Sequence, residues 1–439
     1  MCRCKVSTDF TDLQRQILLI RLKTPHPAQL SVSDFTYVLP PGRIAQHPLL
    51  QRDQAKLLIY RNRVITETVF RHLSMQLPEK SVLVFNDTKV IHARIVFRNE
   101  NKARIEIFLL EPISPHAEMQ LAVFARREST WRCFIGNAKK WREEKLVKKF
   151  RIGDESGTLE ATREGMLEGD YLIHLKWAPA QLSFAQVLQA AGYVPLPPYI
   201  NRAAEQEDED QYQTIYAVQD GSVAAPTAGL HFTTSVFDSL KQRSIDSLFT
   251  TLHVSAGTFL PVKSQTMEGH RMHHEQIVVT QAAIEKLAAI TDGEEKRPVV
   301  CVGTTSLRAV ESLYWLGRQL AHGIEKLEVE QWEPYEPDND NLAVAESLQM
   351  ILTFLSRKKM NQLTAETKIL LAPGYPFKMA DALITNFHLP QSTLLLLIAA
   401  FIGEDWRNVY DYALQHGFRF LSYGDGSLLW RRGTRFVSA

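Results

Sequence analysis

Three segments in the middle of the chain alternate between apolar and polar residues, and this period of two most constrains how the chain can fold. The segments lie at 105–109, 131–135 and 171–177, with turn-forming residues at 99–101 and 168–170. Such alternation is typical of antiparallel strands with one buried and one solvated face. Residues 86–178 are therefore predicted to form an all-β unit, either a small barrel or a sandwich.

The residues on both sides of this unit have a different pattern. Short apolar strands and helical spacings are predicted at 57–60, 64–69, 81–85, 184–191, 236–243, 281–290, 298–302 and 307–320. Mixed strands and helices favour the α/β class. We therefore predict an α/β domain formed by residues 32–85 and 179–439 and interrupted by the all-β unit. Residues 1–31 are predicted to be a peripheral N-terminal extension.

Composition and charge exclude several classes of protein. The 439 residues include 50 Lys or Arg and 49 Asp or Glu, so any nucleic-acid surface must be a local patch. The longest apolar run, Leu394–Ile402, is too short to span a bilayer, and no basic and apolar leader opens the chain. The four cysteines are too scattered for a disulfide framework. We predict a reduced, cytoplasmic protein with no membrane partner.

Two short runs combine small residues with a histidine. They are VAAPTAGLHF, which contains His231, and HVSAGTF, which begins at His253. Small residues let a ligand approach the backbone closely, and the second run follows a predicted strand end, where α/β sheets bind ligands. The alternative is a packed turn whose histidine is hydrogen-bonded within the protein.

The run HRMHHE, from His270 to Glu275, brings three histidines and a carboxylate close together. Such side chains are able to share a metal ion. Their order matches neither the HExxH nor the HxxEH motif of zinc proteases. Polar contacts to a substrate, or a local hydrogen-bond network, are the favoured alternatives.

Two further runs place polar residues where a helix is predicted to begin. In VVCVGTTSLR, which ends at Arg308, a strand, a glycine turn and a hydroxyl-rich helix start would offer free N–H groups to an anion or polar ligand. The alternative is an ordinary helix N-cap at Thr304 or Thr305. In LITNFHLPQST, Asn386 and His388 lie on a bend before a helix that Ser392 or Thr393 caps.

Residues 126–151 form a local basic stretch. It holds ten Lys or Arg and three Glu, interleaved with Trp131, Phe134, Trp141 and Phe150. Exposed aromatic side chains among basic residues suit a nucleic-acid strand. The alternative is a hairpin whose solvent-facing side happens to be basic.

Taken together, these runs resemble the S-adenosylmethionine:tRNA ribosyltransferase-isomerase family of queuosine biosynthesis. The resemblance covers residues 32 to about 429, apart from an insertion near 317–364. It rests chiefly on the strings APTAGLHF, VGTTSLR and TNFHLPQSTL, with weaker matches at 85–94, 195–199, 253–259, 270–275 and 423–425. The fold that it implies is a larger barrel-like α/β domain interrupted by a small all-β barrel domain.

The resemblance also implies a reaction. The ribosyl part of S-adenosylmethionine is transferred to a 7-aminomethyl-7-deazaguanine at the tRNA wobble position and isomerised, which gives epoxyqueuosine-tRNA and releases adenine and methionine. The substrates are then tRNA and S-adenosylmethionine, with no separate cofactor and no metal. The sequence lacks the glycine-rich loop of typical methyltransferases, as expected if the methyl group is not the part transferred.

This chemistry needs a base beside the sulfonium, a proton donor for adenine and polar groups around the ribose. The catalytic candidates are His231, His253, Glu275, His388 and Asp425. The substrate-binding candidates are Asn86, Lys89, Arg94, Tyr199, Thr227, Gly229, Gly257, Thr258, His270, His273, Gly303, Thr304, Thr305, Arg308, Asn386, Ser392 and Tyr423. The tRNA-binding candidates are Lys139, Lys140 and Lys148. Arg308 is expected to contact a carboxylate or other anion, and to share one pocket with His231 and His253.

The chain departs from the family pattern next to the predicted pocket. His92 stands where the family commonly has Pro, Ser255 where Gly is usual, and Gly426-Ser427 where Ala-Met is usual. These departures leave two alternatives open. One is a relative that uses S-adenosylmethionine on another acceptor, and the other is a tRNA-binding protein of the same fold without turnover.

Overall fold

The computed structural model describes residues 26–167, 169–254, 262, 264–291, 296–337, 342–434 and 436. Most of the predicted N-terminal extension and the predicted substrate-binding residues Gly257 and Thr258 lie outside these ranges. The strands are β1 (Lys56–Arg61), β2 (Val64–Val69), β3 (Val82–Asn86), β4 (Thr88–Val90), β5 (Arg94–Arg98), β6 (Arg104–Ser114), β7 (Glu128–Gly136), β8 (Lys145–Ile152), β9 (Glu155–Leu167), β10 (Asp170–Ala178), β11 (Gly192–Tyr193), β12 (Gln219–Ser222), β13 (Asp246–Leu252), β14 (Glu275–Thr280), β15 (Val299–Val302), β16 (Glu328–Val329), β17 (Gln362–Thr367), β18 (Ala382–Asn386) and β19 (Gly426–Trp430). The helices are α1 (Met119–Ala122), α2 (Phe184–Ala191), α3 (Asp208–Gln211), α4 (Thr234–Gln242), α5 (Gln281–Thr291), α6 (Thr304–Ala321), α7 (Val344–Lys358), α8 (Thr393–Ile402) and α9 (Trp406–Gln415).

The larger sheet is mixed and has ten strands in the order β16-β17-β14-β13-β3-β15-β18-β19-β1-β2. Its central strands β13, β3, β15 and β18 are parallel to one another. Both faces of β3 are buried: Val82 and Val84 belong to the core that includes α6, and Leu83 and Phe85 belong to the core that includes α4. A strand that is buried on both faces has a nearly continuous apolar sequence, as β3 does.

The smaller sheet is antiparallel and has seven strands in the order β11-β5-β6-β7-β10-β9-β8. It curls so that the Lys148 ammonium on β8 donates a hydrogen bond to the Val96 carbonyl on β5 at 3.0 Å. No ladder among the described strands joins β8 to β5 or β11, so the sheet is a half-barrel. The prediction of an α/β fold with an inserted antiparallel β domain is confirmed. The limits assigned to the domains stay a prediction.

Three of the four aromatic residues of the basic stretch face the interior of this curled sheet. Trp131, Trp141 and Phe150 are buried, and Phe134 is half-buried. The expectation of aromatic side chains exposed for base stacking is therefore wrong for the first three. Alternation predicts that one face is buried but not which one, and here the aromatic residues fill the core.

Helix starts follow two different rules in this fold. The Ser392 hydroxyl caps α8 by accepting a hydrogen bond from the Leu395 amide at 3.2 Å, as predicted. The alternative of an ordinary cap of α6 by Thr304 or Thr305 is wrong, because Gly303 takes the cap position and supplies no side chain. None of the described helices is long and apolar enough to cross a membrane.

The residues near the predicted insertion fold onto α6. A Cβ on Gly317 would lie 2.1 Å from the Ser347 carbonyl oxygen, so only glycine allows α6 and α7 to approach this closely. Strands β16 and β17 add the far edge of the large sheet. The carboxyl ends of β13, β3, β15 and β18 meet at one edge of that sheet, which is where parallel sheets bind ligands.

Candidate active site

A pocket opens at the carboxyl ends of β15 and β18. Eight residues predicted from the sequence line it: Tyr199, Thr227, Gly303, Thr304, Thr305, Asn386, His388 and Ser392. Most of the other described lining residues are small or apolar, such as Ala224, Ala225 and Val254. Apolar walls with a few convergent polar groups are typical of a small-molecule site.

The carboxamide of Asn386 is held in one orientation at the end of β18. The Thr227 hydroxyl donates a hydrogen bond to Asn386 Oδ1 at 3.0 Å, and Asn386 Nδ2 lies 3.3 Å from His231 Nε2. The carbonyl end of the amide therefore faces Thr227, and the NH₂ end faces the histidine. The second Nδ2 hydrogen has no acceptor among the described residues and is available to a ligand.

His231 lies behind Asn386 and contacts its carboxamide. The imidazole is buried. Burial lowers the pKa of His231 from 6.5 to about 4, although the Asp425 carboxylate opposes this shift. The ring is therefore neutral at pH 7 and accepts the Asn386 N–H through Nε2.

Two further predicted catalytic histidines are also buried and neutral. His388 Nε2 lies 3.0 Å from the Thr385 hydroxyl, and His253 Nδ1 lies 2.9 Å from the Thr88 hydroxyl. Burial lowers the pKa of His388 to about 3 and that of His253 to about 4. Neither is therefore an imidazolium acid at pH 7, and each presents a neutral ring that is able to donate or accept a hydrogen bond.

The start of α6 forms another wall of the pocket. Gly303 has φ of +89°, which turns the chain sharply from β15 into the helix. Thr304 and Thr305, the first two helical residues, line the pocket. The Thr305 Oγ1 atom is buried and has no hydrogen-bond partner among the described residues.

Arg308 and Glu275 pair with each other. The Arg308 guanidinium donates to the Glu275 carboxylate and, at 3.2 Å, to the Ile369 carbonyl. Both side chains are buried, and neither lines the described pocket. The carboxylate that Arg308 contacts is therefore the protein's own, and Glu275 neutralises its charge.

The chain is similar to known proteins over most of its length. Residues 32–429 match the model of a family described as queuosine biosynthesis protein. The chain belongs to this family. It is 35% identical over 404 residues to the S-adenosylmethionine:tRNA ribosyltransferase-isomerase of Aromatoleum aromaticum, and the match covers 92% of this chain and 98% of that protein. It is 37% identical over 414 residues to the enzyme of the same name from Rhizobium rhizogenes, which covers 92% of this chain and all of that protein. A solved structure of an S-adenosylmethionine tRNA ribosyltransferase from Thermotoga maritima is 26% identical, with a TM-score of 0.43, and covers 90% of this chain and all of that one.

Some predicted residues of this family member lie behind the pocket wall rather than on it. His231, His253 and Arg308 were expected to share one pocket, and none of them is among its described lining residues. His231 bonds the lining residue Asn386, His253 directly precedes the lining residue Val254, and Arg308 lies one helical turn beyond Thr304. A sequence motif marks the neighbourhood of a ligand, but not which of its side chains face inward.

Asp425 and Tyr423 bond other parts of the protein. The Asp425 carboxylate accepts hydrogen bonds from the backbone amides of Lys56 at 3.1 Å and Arg419 at 2.7 Å. The Tyr423 hydroxyl donates to the Asp208 carboxylate at 2.9 Å. These contacts fix the C-terminal turn beside His231. The Asp425 carboxylate is thus engaged within the protein, and its role in proton transfer stays a prediction.

Four other predicted substrate-binding residues also have internal partners. The Asn86 carboxamide accepts from the Leu252 amide at 3.0 Å and donates to the Leu252 carbonyl at 2.9 Å, which joins β3 to β13. Lys89 pairs with Asp220 at 3.2 Å, and Arg94 pairs with Glu106 at 2.6 Å. A Cβ on Gly229 would lie 2.0 Å from the Tyr216 hydroxyl, so this glycine is needed for packing.

His270 and His273 are half-buried, and His274 is exposed. His273 Nδ1 lies 3.4 Å from Arg132, and burial lowers the pKa of His270. Only His274 belongs to a cluster with metal-ligand spacing, together with Glu328 and Glu366. Lysines form ion pairs with the carboxylates of that cluster: Glu328 pairs with Lys368 at 2.8 Å and with Lys326 at 2.9 Å. The arrangement is that of an ion-pair network.

The predicted tRNA-binding lysines differ in their surroundings. Lys139 and Lys140 are exposed at the tip between β7 and β8. The Lys148 ammonium bonds the Val96 carbonyl and lies 5.2 Å from the centre of the Tyr193 ring, and burial lowers its pKa. Only the first two lysines are placed to meet a phosphate backbone without losing an internal contact.

Sequence reasoning missed several lining residues. Thr385 supports His388, and the Ser422 hydroxyl lies 2.7 Å from the Tyr199 hydroxyl inside the pocket. Thr385 stands within the TNFHLP string and could have been found there. Ser422 directly precedes the matched segment at 423–425, and only the tertiary fold brings it to the site.

Proposed function

We propose that this chain transfers the ribosyl part of S-adenosylmethionine to a 7-aminomethyl-7-deazaguanine of tRNA and isomerises it to the epoxyqueuosine form. The curated relatives that match 92% of its length are named S-adenosylmethionine:tRNA ribosyltransferase-isomerases. The chain is then an enzyme that consumes S-adenosylmethionine and tRNA and releases adenine and methionine. Because its substrate is a tRNA, we propose that the enzyme acts in the cytoplasm.

The observation that carries the proposal is the convergence of distant sequence runs on one pocket. Thr227, Gly303 and Asn386 belong to the three strings that most resemble the family, and all three line the same cavity. A packed turn or an ordinary helix cap would explain any one of them. Their convergence around one apolar cavity supports a shared ligand.

The departing purine needs a hydrogen-bond donor, because negative charge develops on it as its bond to the ribose breaks. We assign this role to Asn386 Nδ2, whose orientation Thr227 and His231 fix from the other sides. A donor that is already oriented costs no reorganisation when the bond breaks. His231 is then a positioning residue, since it acts through Asn386.

The proton beside the sulfonium needs an acceptor. His388 is the one imidazole among the described lining residues, and its low pKa keeps it neutral at pH 7. A neutral imidazole has a lone pair for this proton, and the Thr385 hydroxyl holds the ring. We assign His388 as that acceptor.

Product analysis tests the proposed function. The purified protein is incubated with S-adenosylmethionine and with tRNA that carries 7-aminomethyl-7-deazaguanine, and the small molecules are separated by chromatography. The proposal predicts adenine and methionine in equal amounts. S-adenosylhomocysteine would indicate methyl transfer, and adenine release with a different acceptor would indicate the diverged relative. Binding of tRNA without any product would indicate the non-catalytic alternative.

A further inference from the structure

The first turn of α6 presents unused hydrogen-bond donors to the pocket. Helix α6 is 18 residues long, and its cap residue Gly303 supplies no side chain. The first hydrogen bond within the helix runs from the Leu307 amide to the Gly303 carbonyl at 3.2 Å. Within the described part of the chain, the amides of Thr304, Thr305 and Ser306 have no acceptor. Amides at a helix N-terminus attract anions.

The Thr305 side chain is a second, independent sign of a ligand. This residue is only 8% exposed, it lines the pocket, and its Oγ1 has no partner in the described ranges. By contrast, the next hydroxyl in the helix, on Ser306, donates to the Val302 carbonyl at 2.7 Å. A buried hydroxyl without a partner destabilises the fold, so a polar ligand that bonds the Thr305 hydroxyl would remove this cost.

The electrostatics of this wall favour a negatively charged group. The first turn of α6 holds no acidic residue, and none of the described lining residues is Asp or Glu. Arg308, one turn further along α6, is neutralised by Glu275. The helix N-terminus is therefore the local positive end that remains, and it suits one carboxylate rather than a highly charged group.

We propose that the first turn of α6 binds the carboxylate of the methionine part of S-adenosylmethionine, through the amides of Thr304 and Thr305 and the Thr305 hydroxyl. This inference rests on the proposed function, because it concerns the same pocket and the same substrate. Holding the amino-acid end here leaves the ribose and the adenine to reach Asn386 and His388, which line the same pocket. Gly303 has no side chain, which leaves the backbone open to the carboxylate.

Two ligands that differ only in the carboxylate test this site. Binding of S-adenosylmethionine and of decarboxylated S-adenosylmethionine is measured by calorimetry for the wild type and for Thr305→Val, Thr305→Ser and Thr291→Val. The wild type should bind the carboxylate form on the order of 10- to 100-fold more tightly, which is the range for hydrogen bonds to a charged group. Thr305→Val should reduce that ratio at least about fivefold, while Thr305→Ser keeps it. Thr291 is the control, because its hydroxyl bonds its own helix and it does not line this pocket.

The outcomes separate this inference from the proposed function. A wild type that releases adenine from S-adenosylmethionine but binds both ligands equally overturns the carboxylate site and leaves the function intact. An unchanged ratio of the two ligand affinities in a folded Thr305→Val protein also overturns the carboxylate site. If that variant instead loses affinity for tRNA, the donors of the first turn of α6 bind a tRNA phosphate. A wild type that shows the expected ratio but releases no adenine with substrate tRNA supports the site and contradicts the proposed function.

Discussion

The buried histidine of the pocket makes the stability of this protein sensitive to acid. Burial holds the pKa of His388 at about 3 in the folded state, against 6.5 for an ordinary histidine. Above pH 6.5 neither state binds the proton, so the stability is complete. As the pH falls below 6.5, only the unfolded chain becomes protonated, and stability is lost progressively until the folded ring itself titrates near pH 3.

The size of this effect follows from the two pKa values. At pH 5 the protonation of this one side chain should lower the free energy of unfolding by about 2 kcal/mol relative to pH 7.5. His388→Asn removes the titrating group. The variant should therefore lose about 2 kcal/mol less stability than the wild type between pH 7.5 and pH 5, even if it is less stable at both. Urea unfolding at the two pH values, followed by tryptophan fluorescence, measures this difference.

An exposed histidine provides the control. His72 lies on the surface, and His72→Asn should change the pH dependence by less than about 0.5 kcal/mol. If His388→Asn loses as much stability as the wild type over this range, the ring is not neutral in the folded protein. The reasoning that makes it a proton acceptor would then be refuted.

Three further predictions concern other parts of the account. Replacing Lys139 and Lys140 with Gln should lower the salt dependence of tRNA binding by about one unit of slope per lost phosphate contact, and an unchanged slope would assign tRNA to another surface. Glu275→Gln should lower the free energy of unfolding by about 3–5 kcal/mol, because it leaves the Arg308 charge buried and unpaired. Adding Arg308→Met should restore part of this loss in the same urea assay. If the stability losses of the two single variants simply add in the double variant, the pairing is contradicted. Thr227→Val should lower kcat for adenine release about fivefold with little change in KM, since it frees the Asn386 carboxamide, and a change confined to KM would contradict the positioning role.

The sequence predicted well the features that depend on local pattern. Alternation located the antiparallel insert, whose strands β7 and β10 pair through Trp131 and Ile173. The predicted helix at 184–191 coincides with α2, which Gly192 ends. The strings that resemble the family also converge on one pocket, since motifs at strand ends meet at the same sheet edge.

The errors concern contacts between residues that are distant in sequence. No local pattern shows that Glu275 on β14 neutralises Arg308 on α6, because the fold alone brings them together. The burial of Trp141 has the same cause, since the curling of the inserted sheet decides which face becomes its core. The neutral state of the histidines likewise depends on burial by residues far along the chain, and composition cannot reveal it.

Isotope transfer tests the central claim most directly. S-adenosylmethionine with ¹³C at all five ribose carbons is incubated with the protein and with tRNA that carries 7-aminomethyl-7-deazaguanine, and the digested nucleosides are analysed by mass spectrometry. The account predicts a wobble nucleoside that has gained all five labelled carbons, together with unlabelled adenine and methionine. A wobble nucleoside that gains only an unlabelled methyl group, or that remains unchanged while the protein is folded and binds both substrates, would contradict it.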